Sequence, residues 1–220
     1  MTHFNELSKN KKILTIVNYS LCTFLALTCL AFTITILCLG DPTNRLVACI
    51  TTCILYLLPL IIQWIFNTRI SPVVVLIYII FITFAAFCGS CLNLNYLWVG
   101  MDKIQHFTWG YISCFVGLFY LSRTKEIDKI KTSTIVIIFL AISIASAGLW
   151  EVIEFSCDNI LNQTMQGIPV DGVTPVNDSM FDIIIHSCGS LLFLFHFMLE
   201  KLTRKNLGIT SAINDFKIDY

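Results

Sequence analysis

The sequence predicts an all-α integral membrane protein, a six-helix bundle with both termini cytoplasmic. Three observations predict it. Of the 220 residues, 56% are hydrophobic and only 13% charged, and the mean hydropathy is +0.80, a composition far from that of soluble domains. Six apolar stretches approach or exceed the ~20 residues that cross a ~30 Å hydrocarbon core as helix, and none alternates as a barrel strand does. They are Ile13 to Leu39, Leu46 to Phe66, Val73 to Leu92, Ile104 to Leu121, Thr134 to Cys157 and Ser179 to Leu199. Finally, six spans sort the charges. Lys9, Lys11, Lys12, Arg69, Arg123, Lys125, Lys129, Lys131, Lys201, Arg204, Lys205 and Lys217 fall on one side, leaving Arg45 and Lys103 on the other. The positive-inside rule places the first side in the cytoplasm. Asp41, Asp102, Glu151, Glu154, Asp158, Asp171, Asp178 and Asp182 gather at the outer side, so a formal net charge of zero hides a strong polarisation.

The elements follow in order. Residues 1–12 form a polar cytoplasmic arm whose three lysines suit an anionic leaflet. The first stretch is too long for a signal-peptide core and lacks a small-x-small cleavage site, so it stays as an anchor. Its Asn18, Ser20 and threonines Thr23, Thr28, Thr33 and Thr35 need only packing and bonds to their own helix carbonyls. Gly40-Asp41-Pro42 makes the outer turn, and Pro59 is expected to kink the second helix. Cys88-Gly89-Ser90-Cys91 has C-x-x-C form but closes an apolar helix, whereas redox dithiols open one. These cysteines, with mid-helix Cys22, Cys29, Cys49, Cys53 and Cys114, read as small apolar packing residues. Tyr96 and Trp98 supply an interfacial belt, and Arg123 to Lys131 is a mixed-charge loop that sets topology. The loop from Asp158 to Asn177, with Gly167, Pro169, Gly172 and Pro175, is expected to form a lid. It contains the sequon Asn162-Gln163-Thr164. Lys201 to Tyr220 reads as a polar cytoplasmic tail. No Gly-rich phosphate loop, nucleophile elbow or H-E-x-x-H motif occurs, so neither a nucleotide site nor a nucleic-acid partner is expected.

The last three helices carry the chemistry. Asp102/His106 and Asp182/His186 are D-x-x-x-H pairs, and Glu151/Glu154 is an E-x-x-E pair, so each pair shares a helix face. Asp178 lies one turn before Asp182, and Lys103 adjoins Asp102. Gly110, Ser113 and Gly117, Ala147, and Gly189 extend those faces as stripes of small residues, the kind on which membrane helices associate. The three faces are therefore expected to meet in a polar pocket open to the outside. Two histidines and several carboxylates suit a divalent transition metal such as zinc, iron or manganese. On that reading His106, Asp182, His186 and Asp178 are metal ligands, Glu151 or Glu154 is the general base, Asp102 orients His106, and Lys103 completes the catalytic group. The competing reading has the same groups neutralise one another, Lys103 pairing with Asp102 or Glu154, as a structural lock or proton relay. His196 and Glu200, at the other end of the sixth helix, read as interfacial packing residues.

The run Asp102-Lys103-Ile104-Gln105-His106-Phe107, then Glu151-Val152-Ile153-Glu154, then Asn177-Asp178 through Asp182 to His186 and Gly189 resembles the VanZ-like pattern D-K-x-x-H-F, an acidic helix, and D-x-x-x-D-x-x-x-N-x-x-G. It is still more similar to the related six-helix bacterial membrane proteins that include YjdF. The resemblance covers Tyr96 to Leu194. His186 stands where VanZ-like sequences usually have Asn or Asp, and Asp171 to Asn177 lacks the basic residue common there. What the resemblance implies is a bacterial, multi-pass protein of the cell membrane acting in the envelope, VanZ itself being linked to resistance to a glycopeptide antibiotic.

The expected organisation is an arm at 1–12, three transmembrane helices at 13–92, a VanZ-like three-helix segment with the polar pocket at 93–199, and a tail at 200–220. Three functions are compatible with it. One is a metal-dependent hydrolase or transferase acting on, or a binder of, an envelope lipid or cell-wall precursor. The others are a proton- or cation-coupled transporter and a non-catalytic membrane scaffold. The bilayer is a partner in all three.

Overall fold

A computed structural model describes residues 9–40, 45–67, 70–98, 100–123, 127, 129–163, 165–166 and 174–217. The arm before Lys9, the Asp41-Pro42 turn, Arg69, the side chain of Tyr96, residues 124–126 and 128 of the mixed-charge loop, Thr164 of the sequon, residues 167–173 of the expected lid and the last three residues lie outside the described residues. Every regular element among those described is a helix: α1 (Lys9–Leu39), α2 (Leu46–Ile65), α3 (Pro72–Ile82, continuing as a π-helix over Thr83–Cys91), α4 (Leu94–Leu97), α5 (Gly100–Arg123), α6 (Thr132–Leu161), α7 (Pro175–Thr203) and α8 (Ile209–Lys217). The chain divides into two units, residues 1–101 with the last three, and residues 102–217.

Burial on α1 is the inverse of a soluble protein's. On α1 the buried stripe is Thr15, Asn18, Cys22, Ala26, Cys29, Thr33 and Ile36, mostly small or polar, while Phe24, Leu27, Ile34 and Leu37 point outward. Large apolar side chains outside and small ones between helices is the pattern that lipid selects. Among the described residues five helices are long and apolar enough to cross a membrane: α1, α2, α3 with its π-helical end, α6 and α7. The 24-residue α5 is long enough, but Gln105, His106, Thr108 and its glycines lower its mean hydropathy.

In the first unit α1, α2 and α3 pack on one another. Pro59 has no N–H for the Leu55 carbonyl one turn back, and the Tyr78 hydroxyl of α3 donates to that carbonyl at 2.9 Å. The vacancy is thereby filled from a neighbouring helix, as membrane interiors require. Asn18 likewise donates its amide to the Pro72 carbonyl at 2.6 Å, a polar clamp between α1 and the start of α3.

In the second unit α5 and α7 cross at two glycines. A Cβ placed on Gly110 falls 1.9 Å from the His186 carbonyl oxygen, and one on Gly189 falls 1.9 Å from that of Phe107. Only glycine permits so close a crossing. Beyond it, Phe115, Phe139, Phe193 and Phe197 interlock edge to face at centroid distances of 5.0–5.5 Å. α7 starts earlier than its apolar stretch because Thr174 caps it, accepting from the Asn177 N–H at 3.2 Å, and Pro175 occupies the first turn. Asp178 thereby joins the helix.

The tail differs from its expectation. After Arg204 turns the chain at φ 55°, α8 buries Ile209, Ala212 and Phe216, and Phe216 meets Phe119 of α5 edge to face at 5.1 Å. Glu200 accepts from the Leu207 and Ile209 N–H groups at 3.0 Å and from that of Thr210 at 2.5 Å, so a side chain read as packing anchors the N-terminus of α8. The apolar spacing at Ile209, Ala212, Ile213 and Phe216 is the signal that the tail's charge obscured. A cavity of about 290 Å³ lies at this end, lined by Ile127, Ile135, Phe197, Ile209 and Ile213 beside Glu200.

Candidate functional site

The opposite end of the second unit gathers the acidic residues. On α6 the buried face runs Phe139, Ser143, Ala147, Glu151, Glu154. On α7 it runs Asp182, His186, Gly189, Ser190, Phe193. His106, Gly110, Ser113 and Gly117 line α5. Four-residue spacing holds each series on one face, and the glycine crossing draws α5 and α7 together beneath it.

Lys103 is the hub. Its ammonium donates to Asp178 Oδ1 at 2.6 Å, Asp182 Oδ1 at 2.7 Å and Asp102 Oδ2 at 3.0 Å. The sequence expected Asp102 or Glu154 as its partner; the structure pairs it with Asp102 and adds Asp178 and Asp182 from α7. Glu154 accepts the Trp150 indole N–H at 2.7 Å. His106 sits one layer deeper, only 5% exposed. Its Nε2 lies 3.5 Å from Asp102 Oδ1 and 3.8 Å from Asp182 Oδ1, and its Nδ1 lies 4.0 Å from Glu151 Oε1. Asp102, His106 and Asp182 each offer a ligand atom within 4.8 Å of the others. Glu151 is 7% exposed, and among the described residues neither carboxylate oxygen has a partner within 3.5 Å, the Ser179 hydroxyl standing nearby.

This arrangement is electrostatically incomplete. Five carboxylates (Asp102, Asp178, Asp182, Glu151 and Glu154) share one ammonium and one imidazole in a mostly buried cluster. Uncompensated buried charge is costly, so the cluster has capacity for added positive charge, as protons or as a cation. Asp102, Lys103 and Asp178 are the most exposed members at 20–28%, which makes them its mouth. Lys103 stands between the three aspartates at that mouth.

His186 stands apart from this group. It is fully buried, and its Nε2 pairs with Ser143 Oγ at 2.9 Å and approaches Ser113 Oγ at 3.5 Å, while Nδ1 is unpartnered. Ser143 in turn bonds Ser190, whose hydroxyl donates to the Gly110 carbonyl at 3.2 Å. The sequence reading named Ser113 only as a packing residue of the α5 stripe and missed Ser143 and Ser190. Their helical spacing to Glu151, His186 and His106 was the available signal. Asp158, counted with the outer acids, accepts from the Met165 and Gln166 N–H groups at 2.7 and 3.0 Å and so pins the start of the loop. At the far end, His196 Nδ1 pairs with the Tyr111 hydroxyl at 2.6 Å.

A family model described as "Predicted membrane protein (DUF2238)" matches residues 20–201, which includes every site residue above. The chain belongs to that family. It is a multi-pass membrane protein whose environment is the lipid bilayer. No curated protein and no solved structure matches it. Within this member of the family, the chemistry must be argued from the cluster itself. Carboxylate and imidazole donors at this spacing suit a divalent ion, and a carboxylate held free beside the imidazole suits proton transfer to or from a water on that ion.

Proposed function

We propose that the chain is a six-span bacterial envelope protein of the VanZ-like and YjdF-like kind, with both termini cytoplasmic. It binds a divalent metal at Asp102, His106 and Asp182 and uses it to hydrolyse or transfer a group on an envelope lipid or cell-wall precursor. On this reading α5 is the sixth span, its low hydropathy being the mark of the site, and the positive-inside rule turns the cluster outward. The observation that carries the metal reading is the compact Asp102/His106/Asp182 group with the unpartnered, buried Glu151 carboxylate 4.0 Å from the His106 ring. The ion would supply a Lewis acid and an activated water. Glu151 would serve as the general base, Asp102 would orient His106, and Lys103 and Asp178 would govern entry at the mouth.

Coupled transport is the second reading, favoured by the His186 and serine network, which carries polar groups inward from the cluster. The interlocked rings of Phe115, Phe139, Phe193 and Phe197 close that route below Ser190, which weighs toward chemistry at the mouth. The test is reconstitution into vesicles containing phosphatidylglycerol or a polyprenyl diphosphate, with headgroup or phosphate release followed by mass spectrometry. Release is expected with zinc or manganese, absent with chelator, and slowed ~10²–10⁴-fold in Glu151→Gln. Equal release from protein-free vesicles, or release indifferent to metal, refutes the catalytic reading.

A further inference from the structure

Four thiols from three helices converge in the first unit. Cys29 of α1, Cys49 of α2 and Cys91, the last residue of the π-helix, are each 0% exposed, and Cys53 packs against the same cluster. They share one buried cluster, in which the Cys29 thiol interacts with those of Cys91 and Cys53 and the Cys91 thiol with that of Cys49. The thiols otherwise make weak bonds, Cys29 to the Cys49 carbonyl at 3.2 Å and Cys91 to the Thr52 hydroxyl at 3.3 Å. All are free.

Small apolar packing accounts for buried cysteines one at a time, but the backbone here takes an unusual path. α3 presents Val75, Ile79 and Ile82 inward. At about 100° per residue, nine further α-helical steps from Ile82 end half a turn away, on the opposite face. The π-helix over Thr83–Cys91 has wider turns and brings Cys91 back to the buried face. Such segments are rare and concentrate at functional sites. Arg45, at the start of α2, donates to the Cys91 carbonyl at 3.1 Å, placing a positive charge beside the sulfurs.

We propose that Cys29 and Cys91 bind a soft monovalent metal ion of the copper(I) class in linear two-coordinate geometry, flanked by Cys49 and Cys53. Thiolate sulfur selects soft ions. The sulfurs form a ladder, Cys53, Cys29, Cys91, Cys49, rather than a ring, and among the described residues the compact three-donor group is the Asp102/His106/Asp182 set, not a thiol set. A tetrahedral zinc site needs four donors around one point, whereas a linear ion needs two. Binding forms two S–Cu bonds and releases two thiol protons to solvent, with no change of oxidation state. The resulting single negative charge is offset by Arg45.

The test uses full-length protein, reduced and anaerobic in detergent, titrated with copper(I) buffered by bathocuproine disulfonate. Wild type is expected to hold one copper(I) per chain against the chelator. Cys29→Ser and Cys91→Ser should weaken it beyond the ~10–100-fold that loss of an outer-shell partner costs, and Cys188→Ser on the exposed side of α7 should not. X-ray absorption on copper-loaded wild type, which requires no variant to fold, should show two sulfur neighbours. Copper lost from wild type to the chelator, undiminished retention in both variants, or nitrogen and oxygen ligation overturns the proposal.

Discussion

Gly110→Ala and Gly189→Ala are each expected to destabilise the protein by about 3 kcal/mol or more, at or above the upper end of ordinary overpacking. In both, the added carbon would stand 1.9 Å from a carbonyl oxygen of the facing helix, and backbone cannot swing aside as a side-chain tip can. α5 and α7 must separate, which removes the Ser190 bond to the Gly110 carbonyl and pulls Asp102 and His106 away from Asp182. Both variants should therefore show a lower thermal midpoint in detergent and weaker metal retention. Gly148→Ala on α6 is the matched control, because a Cβ there meets nothing within 4 Å. It should be neutral or slightly stabilising through helix propensity. Equal midpoints for all three variants contradict the close crossing.

The second large effect is expected at Lys103. Lys103→Gln removes the single ammonium shared by Asp102, Asp178 and Asp182 and leaves those carboxylates facing one another. Breaking a fully buried pair costs about 3–5 kcal/mol. Lys103 is 27% exposed, and solvent screening reduces the cost to roughly 2 kcal/mol. The sign with metal is more informative than the size. Lys103 and a divalent ion compete for the same carboxylates, so zinc or manganese should raise the variant's thermal midpoint more than wild type's. A merely structural lysine would leave the two metal increments equal.

Much of this architecture is legible in the sequence because hydrocarbon is a strict solvent. Each of the six apolar stretches lies on helix to within a residue, and α1, α5, α6 and α7 outrun theirs by a few residues, as where Pro175 to Asp178 continue the turn once Thr174 caps it. The site residues were legible as types on shared faces. Partner choice was not, since it depends on helix rotation and depth. Lys103 lies near enough to the α7 start to take Asp178 and Asp182, and His186, a single turn below Asp182, already falls among serines rather than carboxylates. The small-residue stripe through Gly110 and Gly189 announced close packing without showing that the two glycines oppose each other's helix backbone. The π-helix left no signature in hydropathy, because its residues are as apolar as those of an α-helix, and only the inward turn of Cys91 reveals its consequence.

The most direct test of the central claim is elemental analysis of the purified, chelator-free protein, wild type beside His106→Ala, Asp182→Asn and His186→Gln. A metal held by Asp102, His106 and Asp182 predicts near-stoichiometric zinc, iron or manganese in wild type, its loss in the first two variants and its retention in His186→Gln. Wild type without metal, or all four proteins carrying the same amount, contradicts it.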